Sequence, residues 1–511
     1  MPKWTKEQMD AIYESGKNII VSAGAGSGKT AVLTERVVEK LKTGIKINEL
    51  LILTFTNAAA SEMKDRIRKK INENDSIKDN LDYLESSYIT TFDSFSLSLV
   101  KKYHYLLGLS KNIGIVDNSV IAVKKEEVLD EVFNYFYEVK DKNFLKMIDD
   151  FCVKNDTGLK NDIRNIINVL NNYPDLDDYL DSYISVYFSD NKLNEYINKY
   201  MKILYNVIEE INTNLYYMES ECNSVSAEYY SMCEIALERL IKSKSYEDIK
   251  NNTNVILPRR PKGSDEVKIY KDNITKCINK LKDYTIYDSV SSIYQSIKST
   301  KGYVESIINI VRLYNKKLKE YKDEYAIYEF IDIELMCIKL LKDNKDILDE
   351  VKSNYKEICV DEYQDTNDIQ EAFINLIQNN NLYMVGDIKQ SIYGFRNANP
   401  SIFKNKYDNY KNNFGGMKID LIKNFRSRSN VLSGINTIFD IVMDNEIGGA
   451  DYKNGHEMVF GNSTYTDNIN ELQSYETDII SYNNILDKFN NEEVEAFIIA
   501  DDIKNKIKSE Y

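Results

Sequence analysis

The sequence predicts an α/β fold, a parallel sheet split by a large, mainly helical insertion. Three observations predict it. Short apolar runs alternate with helix-like segments at the start of the chain, and the same texture returns after about Asp346. A glycine-rich loop sits between the first apolar run and the first long amphipathic helix. The stretch between the two α/β parts is long, charged and helical in its apolar spacing. Strand–helix alternation is the pattern of a parallel sheet with helical crossovers.

Taken in order, the runs Asn18–Ser22, Leu50–Thr54 and Tyr88–Thr91 read as buried strands. Between them Leu33, Val37, Val38 and Leu41 share one helical face, as do Ala59, Met63 and Ile67. From Tyr103 to Lys345 strand signals are few, and Ile307, Ile308, Ile310, Val311 and Leu313 show helical spacing. Pro174 and Pro258-Arg259-Arg260-Pro261-Lys262-Gly263 are the clearest breaks. Beyond, Ile358-Cys359-Val360, Leu382–Val385 and Ile419–Ile422 read as strands again. The division expected is 1–102 and 346–417 as one α/β domain, 103–345 as its insertion, and 418–511 as an incomplete further domain.

Composition narrows the function. With 511 residues and 43% hydrophobic side chains the chain can bury more than one core. It has no apolar run long enough to span a bilayer. Met1-Pro2-Lys3-Trp4 leads into a polar helical pattern, so no signal region is expected. Six scattered cysteines have no paired spacing, which argues against a disulfide framework, a zinc site or an iron–sulfur cluster and fits a reducing, cytoplasmic setting. Two histidines, His104 and His456, leave little room for histidine catalysis. A net charge of −15 excludes a uniformly basic nucleic-acid binder but leaves room for a local basic track.

Two motifs carry chemistry. Ile19-Ile20-Val21-Ser22 runs into Ala23-Gly24-Ala25-Gly26-Ser27-Gly28-Lys29-Thr30 and then a helix. Such a loop turns its backbone N–H groups toward phosphates, with the helix N-terminus adding partial positive charge. Lys29 suits the β- and γ-phosphates of ATP, and Thr30 suits Mg2+. Ala23 stands where the strict pattern has glycine. The second motif, Glu357-Ile358-Cys359-Val360-Asp361-Glu362-Tyr363-Gln364-Asp365-Thr366, ends an apolar strand in two adjacent acids. One acid at a strand end can hold Mg2+ and the other can activate water. Asp361 fits the first role and Glu362 the second.

Asp361-Glu362-Tyr363-Gln364-Asp365-Thr366-Asn367 resembles the second motif of superfamily 1 UvrD/Rep-type DNA helicases. Trp4-Thr5-Lys6-Glu7-Gln8 resembles their Q motif, and Thr54-Phe55-Thr56-Asn57-Ala58-Ala59-Ala60-Ser61-Glu62-Met63 their motif Ia. Val385-Gly386-Asp387-Ile388-Lys389-Gln390-Ser391-Ile392-Tyr393-Gly394-Phe395-Arg396 resembles motif III, and Asn424-Phe425-Arg426-Ser427 motif IV. With the phosphate loop these matches fall in the family's order.

The resemblance implies a RecA-like P-loop domain followed by the start of a second RecA-like domain. It implies ATP and Mg2+ as cofactors, Gln8 reading the adenine, Phe425 packing on it, Gln390 sensing the γ-phosphate, and Arg426 acting as an arginine finger. It places Phe55, Tyr393 and Phe395 against single-stranded DNA, with Thr56, Asn57 and Arg396 beside them. Aromatic faces stack on bases without sequence preference, and an arginine fork matches phosphate. Lys64, Arg66, Arg68, Lys69 and Lys70 read as a solvated helix face, and Arg259-Arg260-Lys262 as an exposed basic loop.

Thr91-Phe92-Asp93-Ser94-Phe95 departs from the family's Thr-x-His-Ser-Phe pattern. A carboxylate at Asp93 is expected to repel a DNA phosphate. Nothing resembles the family's motifs V and VI, so the chain is expected to bind Mg-ATP weakly, not to unwind duplexes by itself, and to leave the Ile419–Ile422 strand uncovered. The long insertion, the Gly449–Gly461 stretch and the spelling of motif III resemble the AddA/RecB branch. That branch implies a helicase–nuclease subunit moving 3′ to 5′, acting on single-stranded and duplex-end DNA in double-strand break repair and recombination with an AddB-type partner, and no membrane. A stand-alone UvrD/PcrA-like helicase and an ATP-switched DNA-binding module remain the alternatives.

Overall fold

The computed structural model describes residues 4–462, 464, 479–482 and 490–508. The remaining parts of the expected further domain, 463, 465–478, 483–489 and 509–511, and Met1–Lys3, lie outside the described residues.

The chain divides into two compact units, 1–117 with 172–174 and 325–511, and 118–171 with 175–324. The first unit is built on a parallel sheet. Its strands are β1 (Ile19–Ala23), β2 (Leu50–Thr54), β3 (Tyr88–Thr91), β6 (Glu357–Val360), β7 (Leu382–Gly386) and β8 (Met417–Leu421), in the order β3-β2-β6-β7-β1-β8. Short pairs, β4 (Gly114–Ile115) with β5 (Ile327–Tyr328) and β9 (Lys423–Asn424) with β10 (Val459–Phe460), lie outside it. Helices cover both faces, so β1, β2, β6 and β7 are buried at every position. That explains their near-continuous apolar sequences.

One face packs Ile19, Val21, Leu50, Ile52, Cys359 and Val385 against α1 (Lys6–Tyr13), α2 (Lys29–Lys42) and α3 (Asn57–Asn72). The other packs Ile20, Leu51, Leu53, Ile358 and Met384 against the helices Phe92–Lys102, Phe330–Asp343, Asp368–Ile377 and Pro400–Lys411. β1 and the phosphate loop that follows it connect directly to α2, which is the doubly wound arrangement that leaves a ligand crevice at the carboxyl ends of the strands.

Two expected boundaries differ. The strand expected at Ile419–Ile422 does not open a separate sheet. β8 runs parallel to β1, from Ile19 opposite Met417 to Ala23 opposite Leu421. Ile419 and Leu421 are buried in the same core as Ile19 and Val21, so that strand is covered, and Ile422 alone turns outward. A cut after 417 would pass through this strand. The helix Phe330–Asp343, placed by its helical texture in the insertion, packs Ile333, Cys337, Ile338 and Leu341 into the sheet core beside Phe95 and Leu99.

The second unit is helical throughout its described residues. Its longest helix, Asp190–Ser220, packs Leu204, Ile208, Ile211 and Leu215 with Leu237, Ile274, Cys277 and Leu281 of later helices. Among the described residues no helix is long and apolar enough to cross a membrane.

Candidate nucleotide and nucleic-acid site

The loop Gly24–Gly28 leaves the end of β1 and enters α2. Gly28 caps α2 at φ 86°, and Gly26 sits at φ 70°, both left-handed conformations that suit glycine. Gly26 is also pressed from outside. A Cβ there would lie 2.8 Å from Asn424 Oδ1 and 2.9 Å from the Arg426 Cβ. The segment Asn424–Ser427 is laid directly on the loop. The Phe425 N–H donates to Gly26 O at 2.9 Å, and Asn424 Nδ2 donates to Ala25 O at 2.7 Å. Asn424 Oδ1 accepts the Arg426 and Ser427 N–H groups at 2.9 and 2.8 Å. β10 pairs with β9 behind this segment, and Gly461 gives the Phe425 ring its room. So the Gly449–Gly461 stretch buttresses motif IV.

Gln8 sits on the other side of the loop. Its Oε1 accepts the Thr5 N–H at 2.9 Å, closing the cap of α1, and its Nε2 donates to Ser27 O at 3.0 Å. The Ser27 hydroxyl is buried without a partner among the described residues. A glycine cradle, an unsatisfied hydroxyl and a helix N-terminus carrying Lys29 and Thr30 are the donor set a triphosphate requires.

β6 brings its two acids to the same end of the sheet. Lys29 Nζ lies 2.8 Å from Glu362 Oε2. Glu362 takes a left-handed backbone, φ 50°, and its N–H donates to Asp361 Oδ1 at 3.0 Å. Burial, and then the Glu362 charge, push the Asp361 carboxyl up to about 6, against the pull of Lys29. An acid raised in this way regains its charge most readily beside a cation, so Asp361 with the Thr30 hydroxyl fits Mg2+.

At the end of β7, Asp387 is buried. It accepts from Gln390 Nε2 at 2.6 Å and pairs with Lys389 Nζ at 2.8 Å. Gln390 therefore points back into the protein. Next to it an aromatic group forms. Phe55 stacks on Tyr393 with ring centres 6.2 Å apart, and Tyr393 meets Phe395 at 5.7 Å. The Arg396 guanidinium lies over both, at 5.4 and 5.8 Å. Phe395 is 79% exposed, which excludes a core role for it. Thr56 caps α3 through its hydroxyl and, with Asn57, is exposed beside Phe55. Arg426 is exposed at the rim of the loop.

The basic face of α3 is spent on ion pairs. Lys64 and Arg68 reach Glu85, Arg66 reaches Glu62, and Lys70 reaches Glu35. Arg260 pairs with Asp265. Asp93 does not stand alone. Burial and the Asp93 charge raise Glu334 to about 8, while Gln370 donates to it at 3.2 Å; burial raises Asp93 as well. Two carboxyls in one enclosed site share a proton at neutral pH, so the repulsion expected at Asp93 is reduced.

Three buried polar residues escaped the sequence reading: Arg36, Gln364 and Asp387. Arg36 joins α1, α2 and β6, donating to Ala11 O at 2.9 Å and clasping Glu357 with two bonds at 3.0 and 2.5 Å. Its one advance signal was an arginine on the apolar face of α2.

A phosphate loop, an acid pair at a neighbouring strand end and a helix N-terminus between them define a P-loop nucleotide-binding sheet. Residues 4–411 match the UvrD/REP helicase N-terminal domain. The chain belongs to the UvrD/REP helicase family. It is 30% identical over 98% of its length to the AddA subunit of the ATP-dependent helicase/nuclease of Staphylococcus haemolyticus, covering 44% of that protein. It is 31% identical over 91% of its length to the Anoxybacillus flavithermus protein of that name, covering 42% of it. For the Clostridium acetobutylicum protein the figures are 33%, 96% and 44%. The chain thus spans less than half the length of these curated relatives.

Proposed function

We propose that this chain is the ATP-hydrolysing part of a DNA helicase motor, corresponding to the N-terminal portion of a helicase/nuclease subunit of the AddA type. The observation that carries the reading is the Lys29–Glu362 contact, which joins the phosphate loop to the acid pair of β6 in one site. Bound ATP with Mg2+ would supply a phosphoryl group open to in-line attack by water. Lys29 leaves Glu362 for the β- and γ-phosphates. Asp361 and Thr30 hold the cation. Glu362, released, takes the proton from the attacking water. Gln8 reads the adenine and Phe425 packs on it, while Gln390 and Arg426 face the transferred group. Phe55, Tyr393, Phe395 and Arg396 hold single-stranded DNA by stacking and charge, with Thr56 and Asn57 at the backbone. The sheet unit is the first motor domain, and the residues following β8 begin the second.

The same reading gives 3′ to 5′ movement, duplex-end DNA as the entry substrate in break repair and recombination, an AddB-type partner, a nuclease function elsewhere in the subunit, and a cytoplasmic location. The 511 residues by themselves bind Mg-ATP weakly and do not unwind duplexes.

Glu362→Gln tests the assignment. It keeps the side chain's shape and the Asp361 ligand and removes the base. Single-turnover hydrolysis falls by about 10²–10⁴-fold while binding of a fluorescent ATP analogue persists. Wild-type turnover in the variant, or binding lost along with turnover, contradicts the roles given to the two acids.

A further inference from the structure

The Gln364 side chain is 1% exposed, yet every polar atom of its carboxamide is engaged. Its Nε2 donates to Glu362 Oε2 at 3.0 Å and to Asp365 Oδ2 at 3.2 Å. Its Oε1 accepts the Asp387 N–H at 2.9 Å. The orientation of the amide is forced, since carboxylates only accept and a backbone N–H only donates. Its own carbonyl accepts the Ser391 hydroxyl at 3.2 Å. Gly386 is shaped around it, because a Cβ there would lie 2.5 Å from Gln364 Oε1. Asp387 in turn holds Gln390 and Lys389. Tyr393, which stacks on Phe55, follows two residues after Ser391.

The geometry points to Gln364 as the positioning residue that aims the Glu362 carboxylate and ties it, through Asp387, to the 388–396 segment that carries Tyr393 and Phe395. The inference rests on the ATPase and DNA-contact reading above. Glu362 Oε2 is held by two donors, Lys29 and Gln364. When Lys29 turns to phosphate, Gln364 still fixes the carboxylate. Because the other end of the same rigid amide is locked to the end of β7, a shift of the 388–396 segment moves the carboxylate, and the reverse holds. Binding of nucleotide and of single-stranded DNA is then reciprocal.

The test is a set of titrations on wild type, Gln364→Met and Gln364→Glu. The affinity for a fluorescent, slowly hydrolysed ATP analogue with Mg2+ is measured without and with a saturating thymidine oligonucleotide. In the wild type the oligonucleotide changes the affinity about 5-fold or more. Gln364→Met removes both ends of the link, and the ratio falls toward 1. Gln364→Glu keeps the acceptor for the Asp387 N–H but places a further acid beside Glu362 and Asp365. Like charge raises their titration, so the acid limb of single-turnover hydrolysis moves to higher pH. A residue that merely fills space would shift neither the ratio nor the limb. A wild-type ratio of 1 with both ligands bound, or a wild-type ratio retained in Gln364→Met, overturns the link. Wild type that binds no nucleotide fails the ATPase reading itself, and the inference falls with it.

Discussion

In the sheet unit, Arg36, Glu357, Glu334, Gln364 and Asp387 are all buried, and each has a polar partner that is also enclosed or partly enclosed. The helical unit 118–171 and 175–324 is organised differently. Its core is Ile, Leu, Met, Cys and Tyr, its buried polar side chains are hydroxyls together with Lys322, and its ion pairs, such as Arg312–Asp181 and Lys317–Glu131, lie on the surface. The cost of enclosing charge is several kcal/mol per ion unless the geometry is good. A protein that accepts this cost at the carboxyl ends of its strands, and not in the neighbouring unit, marks where chemistry is done. Arg36 extends the network to the opposite side, fastening α1, which carries Gln8, to the strand that carries Asp361 and Glu362.

The largest effect expected from this contrast is at that clasp. Arg36→Met leaves Glu357 buried and short of its main partner, and should lower the unfolding free energy of the sheet unit by about 3–5 kcal/mol. Urea denaturation reads it, and a loss below about 1 kcal/mol would erase the contrast between the units.

An intermediate effect is expected at the aromatic group. Tyr393→Ala and Phe395→Ala should each weaken binding of a single-stranded oligonucleotide by about 1–3 kcal/mol, alike for mixed and homopolymer strands. Fluorescence anisotropy checks it. Undiminished binding by the folded double variant would return both rings to a packing role.

The smallest effect sharpens the comparison from the other side. Arg312→Ala, which removes a surface pair in the helical unit, should change stability by about 1 kcal/mol or less. A cost equal to that of Arg36→Met would mean that the helical unit also depends on its charges.

The phosphate loop and the acid pair were legible in the sequence because each is a continuous stretch whose chemistry is local: glycines, Lys29 and Thr30 in one run, Asp361 and Glu362 in another. Gln364 was quoted inside its motif but its task was hidden. Its acceptor side meets Asp387, 23 residues away on the next strand, and only the sheet order puts the two together. β8 misled for a related reason. Met417-Lys418-Ile419-Asp420-Leu421 is an edge strand with alternating burial, and nothing in it names β1 as its neighbour. The helix Phe330–Asp343 has the same charged, helical texture as the insertion before it, and which core its Ile333 and Cys337 enter is a matter of tertiary packing.

The central claim is that the loop ending in Lys29 is the nucleotide site and that Glu362 faces it. Titration of a fluorescent ATP analogue with Mg2+ against wild type and Lys29→Ala tests it most directly. The account predicts that removing this ammonium, a charged donor worth about 1.5–3 kcal/mol, weakens binding by about 10- to 100-fold. Equal affinity in the two proteins would contradict it.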